Sequence, residues 1–239
     1  MARPTAIVFG GSRGIGKASV AALAGEGFDV AFTYASPPET DVEFPDAHIA
    51  GYKADIRDAS AVAAVFEAVE RDFSGPLGAV VLSAGIGLPN RSVGQTEADA
   101  FRAIIEVNLI GAFNVLRESA ARVSEGGSII ALTTSYIRHA PPGFGPYCAT
   151  KAAVESLVRA MSKELGERGI RVNAVAPGPT DTALFRAGKS EAAIAASAAL
   201  SPFKRVGQPE EIANAIAFLA SPKASWINGQ ILQPNGGLI

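Results

Sequence analysis

The sequence predicts an α/β protein, one doubly wound domain whose seven-stranded parallel sheet carries helices on both faces. Three observations lead there. Short apolar runs alternate with helix-period segments from end to end, the pattern of a parallel sheet with crossover helices. The first such run, Thr5 to Phe9, opens into a glycine-rich turn and then a helix. Finally, 239 residues with 48% hydrophobic content suffice for one sizeable core. No linker, repeat or second domain interrupts residues 1–239.

Taken in order, strand one ends at Gly10, and Gly10, Gly14 and Gly16 form a GxxxGxG turn around Ser12, Arg13 and Ile15. A helix follows over 17–26, with apolar residues at Val20, Leu23 and Ala24. Strand, glycine turn and helix together present helix N-terminal amides to a phosphate. Strand two is expected over 29–34. Residues 36–45 hold three prolines and no helical period, so an irregular loop replaces the usual crossover helix. Strand three spans 48–54 and closes on Asp55, and an amphipathic helix spans 59–73. Strand four spans 78–83 and precedes Ala84-Gly85. A long helical pattern over 96–124 contains Asn108, a poor helix former, and then Gly111. Strand five, 127–132, runs into Thr133-Thr134-Ser135, and a Pro/Gly-rich loop leads to a helix over 147–168. Strand six, 171–175, stops at Pro177-Gly178. Two further helices, 190–200 and 209–220, precede strand seven at 229–233.

A net charge of −2 argues against nucleic acid or an anionic membrane as the main partner. No apolar run reaches the ~18 residues of a membrane span, and no signal core opens the chain, so a cytoplasmic location is expected. Cys148 is the only cysteine, and His48 and His139 are too few and too far apart for a zinc site. No metal is expected. Cys148 reads as a small packed residue rather than a nucleophile, for no basic partner adjoins it outside the Tyr147/Lys151 pair.

That pair, Tyr147 and Lys151, lies one helical turn apart on one face. A free phenol with a pKa near ~10 is a poor acid–base at neutral pH, and lowering it by about three units needs roughly 4 kcal/mol. One positive charge about 4 Å away, at an effective dielectric of about 20, supplies that much. Burial opposes it, so a second positive charge in the site would help.

With the glycine turn, Asp55, Ala84-Gly85, Asn108, the hydroxyls at 133–135, Tyr147/Lys151 and Pro177-Gly178 all in order, the chain resembles the classical short-chain dehydrogenase/reductases. The resemblance, of the 3-oxoacyl-acyl-carrier-protein reductase kind, covers essentially the whole chain. It extends to Arg205-Val-Gly-Gln-Pro-Glu-Glu and Trp226-Ile-Asn-Gly-Gln. It implies a Rossmann-type fold and hydride transfer between a nicotinamide cofactor and a carbonyl or secondary alcohol on a small molecule. Tyr147 would be the acid–base. Lys151 would bind the nicotinamide ribose and lower the Tyr147 pKa, and Asn108 would hold a relay water. A hydroxyl at the end of strand five would polarise the carbonyl. Thr134, thirteen residues before Tyr147, stands at the family's serine position, with Ser135 as the neighbour one residue away. The resemblance assigns the cofactor site to Gly10, Ser12, Arg13, Gly14, Ile15, Gly16, Asp55, Ile56, Ala84, Gly85, Tyr147, Lys151, Pro177, Gly178, Thr180 and Thr182. Asp55 would meet the adenine, and Thr182 the nicotinamide amide or pyrophosphate. Residues 180–205 would cover the substrate, and a homotetramer or homodimer is implied.

The chain departs from the family pattern at Phe9, Leu82-Ser83 and Thr134. The first two put the bracing of the central strands in question, the third the polarising group. Tyr34-Ala35-Ser36 offers no acid for a ribose 2′-hydroxyl, and Arg13 can pair a 2′-phosphate, so NADP(H) is expected ahead of NAD(H). Arg138 and His139 stand either at the substrate mouth or as surface polarity. Arg186, Lys189, Lys204 and Arg205 either meet an anionic substrate or are solvated. Two other functions fit the same frame: an NAD-linked sugar or polyol dehydrogenase, and a catalytically silent dinucleotide-binding regulator.

Overall fold

In the computed structural model, which describes residues 2–36 and 44–239, seven parallel strands form one sheet in the order β3-β2-β1-β4-β5-β6-β7. The strands are β1 (Thr5–Phe9), β2 (Asp29–Tyr34), β3 (Ile49–Lys53), β4 (Leu77–Leu82), β5 (Ser128–Leu132), β6 (Arg171–Val175) and β7 (Ile231–Leu232). Seven of the ten residues of the expected 36–45 loop, 37–43, lie outside the described residues. β1 pairs with both β2 and β4, so the chain reverses its direction of winding between β1 and β4. In open α/β sheets that reversal leaves a crevice beyond the strand C-termini, where ligands bind.

Both faces of the sheet are covered, which is why the central strands read as unbroken apolar runs. Along β1, Ile7 and Phe9 join the core under α2 (Ala59–Asp72), α4 (Ala112–Arg122) and α6 (Gly145–Glu164). Ala6 and Val8 join the opposite core, under α1 (Gly14–Gly25) and α9 (Pro209–Ala220). Phe9 is fully buried against Phe66, with ring centroids 5.5 Å apart, so the larger residue at this family position is filled rather than strained. Its carbonyl accepts from both Ser83 N (2.9 Å) and Ala84 N (2.8 Å). Main-chain bonds therefore brace β1 to β4 there.

Some elements differ from the sequence reading. α1 begins at Gly14, three residues early, so two of the turn glycines belong to the helix. α6 begins two residues early and ends at Glu164, with a separate 3₁₀ turn over Gly166–Arg168. β7 keeps only two of five expected residues, pairing with β6 alone. The long helix over 96–124 is α3 (Ala98–Ile105) and α4 joined by a π-helical turn, Glu106–Gly111, with Asn108 inside it. A short helical turn, α5 (Tyr136–His139), follows β5. The α7 (Ala183–Arg186) and α8 (Glu191–Leu200) helices fill the segment before α9.

Candidate active site

The glycine turn sits at the crevice between β1 and β4. Gly10 has φ +81°, which favours glycine, and a Cβ there would lie 2.7 Å from the Ala84 main chain. A Cβ on Gly16 would meet the Gly10 carbonyl at 2.0 Å. The glycines thus let β1, the start of α1 and the end of β4 close on one another. The start of α1 has no side-chain cap and no acidic residue in its first turn. Its free amides and positive dipole end suit an anion, and a diphosphate fits this cradle. Arg13 leans from the turn to the end of β2, where its guanidinium donates to Ser36 Oγ (2.7 Å). On the opposite wall, Thr182 caps α7 by accepting from Phe185 N (3.1 Å), and its methyl would lie 3.2 Å from a Gly14 Cβ. Pro177 accepts from Ser135 N at 3.0 Å.

Other expected cofactor residues have side chains engaged within the fold. Ile56 is buried, and a Cβ on Gly111 would come within 2.6 Å of its Cγ1, so its side chain belongs to the core. Thr180 is buried too and donates its hydroxyl to the Gly178 carbonyl (2.9 Å), holding the turn after β6. Ser12 is buried, and Ile15 packs against the α1 core. The Asp55 carboxylate pairs with Arg57, whose Nε donates at 3.0 Å, and that bond lowers the Asp55 pKa. Asp55 would have to share its carboxylate between Arg57 and an adenine.

Lys151 and Asn108 come together beside Gly85 at the ends of β4 and β5. Tyr147 is the third residue of α6, and Lys151 follows one turn later, its Nζ donating to the Leu132 carbonyl (2.9 Å). Asn108 Oδ1 accepts from Ile86 N and its Nδ2 donates to Ile86 O, both at 2.9 Å, like a strand partner for the turn after β4. The same Nδ2 reaches Thr150 Oγ1 (3.3 Å), which donates to the Tyr147 carbonyl (2.8 Å). The π turn supplies the extra residue that brings Asn108 inward, a known use of such bulges. Its side chain is therefore committed to holding the 85–86 turn. A Cβ on Gly85 would lie 3.2 Å from both Asn108 Oδ1 and Lys151 Nζ, so glycine leaves a space that these two polar atoms share.

The three hydroxyls after β5 separate clearly. Thr133 donates to Glu155 Oε1 (3.2 Å), and Ser135 donates to the Ala176 carbonyl (2.6 Å) while accepting from Asn235 Nδ2 (3.2 Å). Thr134 Oγ1 only accepts, from Tyr136 N (3.2 Å). Its hydrogen is left to give.

The protein's own groups do not supply the expected lowering of the Tyr147 pKa. Burial pushes the phenol above its ordinary range, with Cys148 and then Tyr136 adding to the rise. Lys151 does not offset this, for its ammonium is held by Leu132 and is itself pushed down by burial to about 8. Cys148 goes up to about 11 through burial, which leaves the thiol protonated and inert at neutral pH. Sequence reasoning missed Thr150 and Glu155, whose partners come from elements far away in the chain. The four cations near 180–205 are engaged internally. Arg186 pairs with Asp181 and Arg205 with Glu211, Lys189 donates to the Phe185 carbonyl, and Lys204 to Ala199 O (3.2 Å).

Lys151 yields an expected result of its own. Between about 8 and 10.5 the unfolded chain holds a proton at this side chain that the folded chain lacks, so stability should rise with pH across that window. Lys151→Met should stabilise the protein at pH 7 by up to roughly 3 kcal/mol, seen as a higher melting temperature, while abolishing turnover. Thermal melts from pH 7 to 10.5 check this; a variant that melts lower at pH 7 would contradict it.

The family model described as enoyl-(acyl carrier protein) reductase matches residues 10–239. The chain is 38% identical over 258 residues to NADPH-dependent aldehyde reductase 2, chloroplastic, of Arabidopsis thaliana, covering 100% of this chain and 95% of that one. It is 35% identical over 242 residues to the 3-oxoacyl-[acyl-carrier-protein] reductase FabG of Staphylococcus aureus, covering 98% and 97%. A solved blue fluorescent protein from a metagenomic library, in complex with NADPH, superposes with a TM-score of 0.89 at 31% identity, covering 98% and 97%. Fold and comparisons together define an oxidoreductase acting on carbonyl and alcohol groups. The chain belongs to the short-chain dehydrogenase/reductase family.

Proposed function

We propose that this protein is an NADP(H)-dependent reductase of small carbonyl compounds, with Tyr147 as its proton donor. The observation that carries the reading is the space beside Gly85, which Lys151 Nζ and Asn108 Oδ1 border on α6 and the π turn. When bound, the reduced nicotinamide would supply the hydride. The chain's own residues do the rest. Tyr147 gives a proton to the substrate oxygen, and Thr134 donates a hydrogen bond to the same oxygen as charge develops there. Lys151, which donates to the Leu132 carbonyl, would hold the cofactor ribose, and its charge would favour the ionised phenol. Hydroxyl donors of this kind suit an oxygen that gains charge, which favours a carbonyl over a carbon–carbon double bond.

Preference for NADP(H) rests on Arg13, whose guanidinium donates to Ser36 Oγ just beyond β2 and could pair a 2′-phosphate, and accords with the NADPH-dependent and NADPH-bound relatives. Arg13→Ala should weaken NADPH binding by about 10–100-fold, the loss of a charge-assisted pair with phosphate, and leave NADH binding within about twofold. Fluorescence titration of both reduced cofactors tests this. Tighter binding of NADH than NADPH by the wild-type protein would overturn the assignment.

A further inference from the structure

Glu155 has no place in the chemistry just described, yet it is 7% exposed and lies one turn beyond Lys151 on α6. A buried carboxylate is expensive unless paired, and this one is paired at both oxygens. Oε1 accepts from Thr133 Oγ1 (3.2 Å) and Oε2 from Arg159 (3.1 Å). Thr133 directly precedes Thr134. Consecutive turns of α6 therefore grip consecutive residues at the end of β5, Lys151 on Leu132 and Glu155 on Thr133.

The two grips differ in one respect. Lys151 keeps two further N–H donors for a ribose, whereas Glu155 has both oxygens engaged inside the fold, by Thr133 and Arg159. We propose that Glu155 is a positioning residue, fixing α6 against the end of β5 so that the Tyr147 phenol and the Thr134 hydroxyl stay in register. The inference rests on the reductase reading above. Reacting groups tolerate little error, and a displacement of about 1 Å can cost on the order of 10²-fold in rate. An α-helix turns by about 100° per residue, so even a small rotation of α6 would carry Tyr147 off target.

Wild-type protein is first assayed for carbonyl-dependent oxidation of NADPH; its failure to turn over any carbonyl would remove the reductase reading and this role with it. Glu155→Leu should then lower kcat by about 10–100-fold, with the Kd for NADPH within about twofold, since the cofactor cradle is untouched. Glu155→Gln should stay within about threefold of wild type, because the amide oxygen still accepts from Thr133. Thr133→Val removes the donor alone and should match Glu155→Leu, and the double variant should be no worse than either single one. Should Glu155→Leu fail to fold, Thr133→Val and Glu155→Gln carry the test. A purely structural role would lower the melting temperature and leave the kcat of folded protein unchanged. That outcome, equal loss in Glu155→Gln and Glu155→Leu, or additive losses in the double variant would each overturn the proposal.

Discussion

Tyr147→Phe should bind NADPH nearly as well as wild type and lose about 10²–10⁴ in turnover, the range typical of a removed acid–base group. The substitution deletes one oxygen and leaves the ring in place at the start of α6, so neither fold nor cofactor cradle should change. kcat and kcat/KM should fall together, as they do when an interaction made only in the transition state is lost. Burial holds the phenol above its ordinary range. The wild-type pH profile should report a far lower apparent pKa once cofactor is bound. Single-turnover assays with saturating NADPH check the rate. A variant retaining more than roughly a tenth of wild-type turnover would show that the proton comes from another group.

The second large effect is expected at Thr134. Thr134→Val keeps the β-branched shape, removes the only hydroxyl of the three whose hydrogen is uncommitted, and should cost about 10²–10³ in rate, or about 3–4 kcal/mol. Thr134→Ser should remain active, with a freer hydroxyl rotor. Ser135→Ala should behave differently. Its hydroxyl ties the end of β5 to Ala176 and Asn235, so its loss should cost about 1 kcal/mol of stability and leave turnover within about threefold. Steady-state kinetics beside denaturant melts separate the two kinds of loss. Inactive Ser135→Ala with near-normal Thr134→Val would reverse the assignment.

Much of this site was legible because its spacing is local. Tyr147 and Lys151 share a helix face by arithmetic, and the glycines announce a turn between a strand and a helix. Thr134 is reached by its spacing from Tyr147, and its facing follows from the ladder beside it. Thr133 N and Ser135 N continue the β6 ladder to Val175 and Pro177, so the residue between them faces otherwise. What the sequence did not disclose depends on contacts between distant segments. The π turn at Asn108 arises because its amide pairs with Ile86, twenty-two residues earlier in the chain. Burial of Ile56 depends on how closely Gly111 approaches it, and the pairing of Arg186 and Arg205 depends on loop geometry that periodicity does not encode. The Glu155–Thr133 bond joins two residues that each look unremarkable alone. Shortening of β7 has a simpler cause. Gly229, its first expected residue, has φ +70°, outside strand geometry.

The most direct test of the central claim follows the hydride. The wild-type protein is incubated with NADPH deuterated at the transferring position of C4 and a panel of aldehydes and ketones, and the product alcohols are weighed by mass spectrometry. The account requires one deuterium on the carbinol carbon for every NADPH consumed, with NADH a markedly poorer donor. NADPH bound but never consumed, or alcohol formed without deuterium at that carbon, would contradict it.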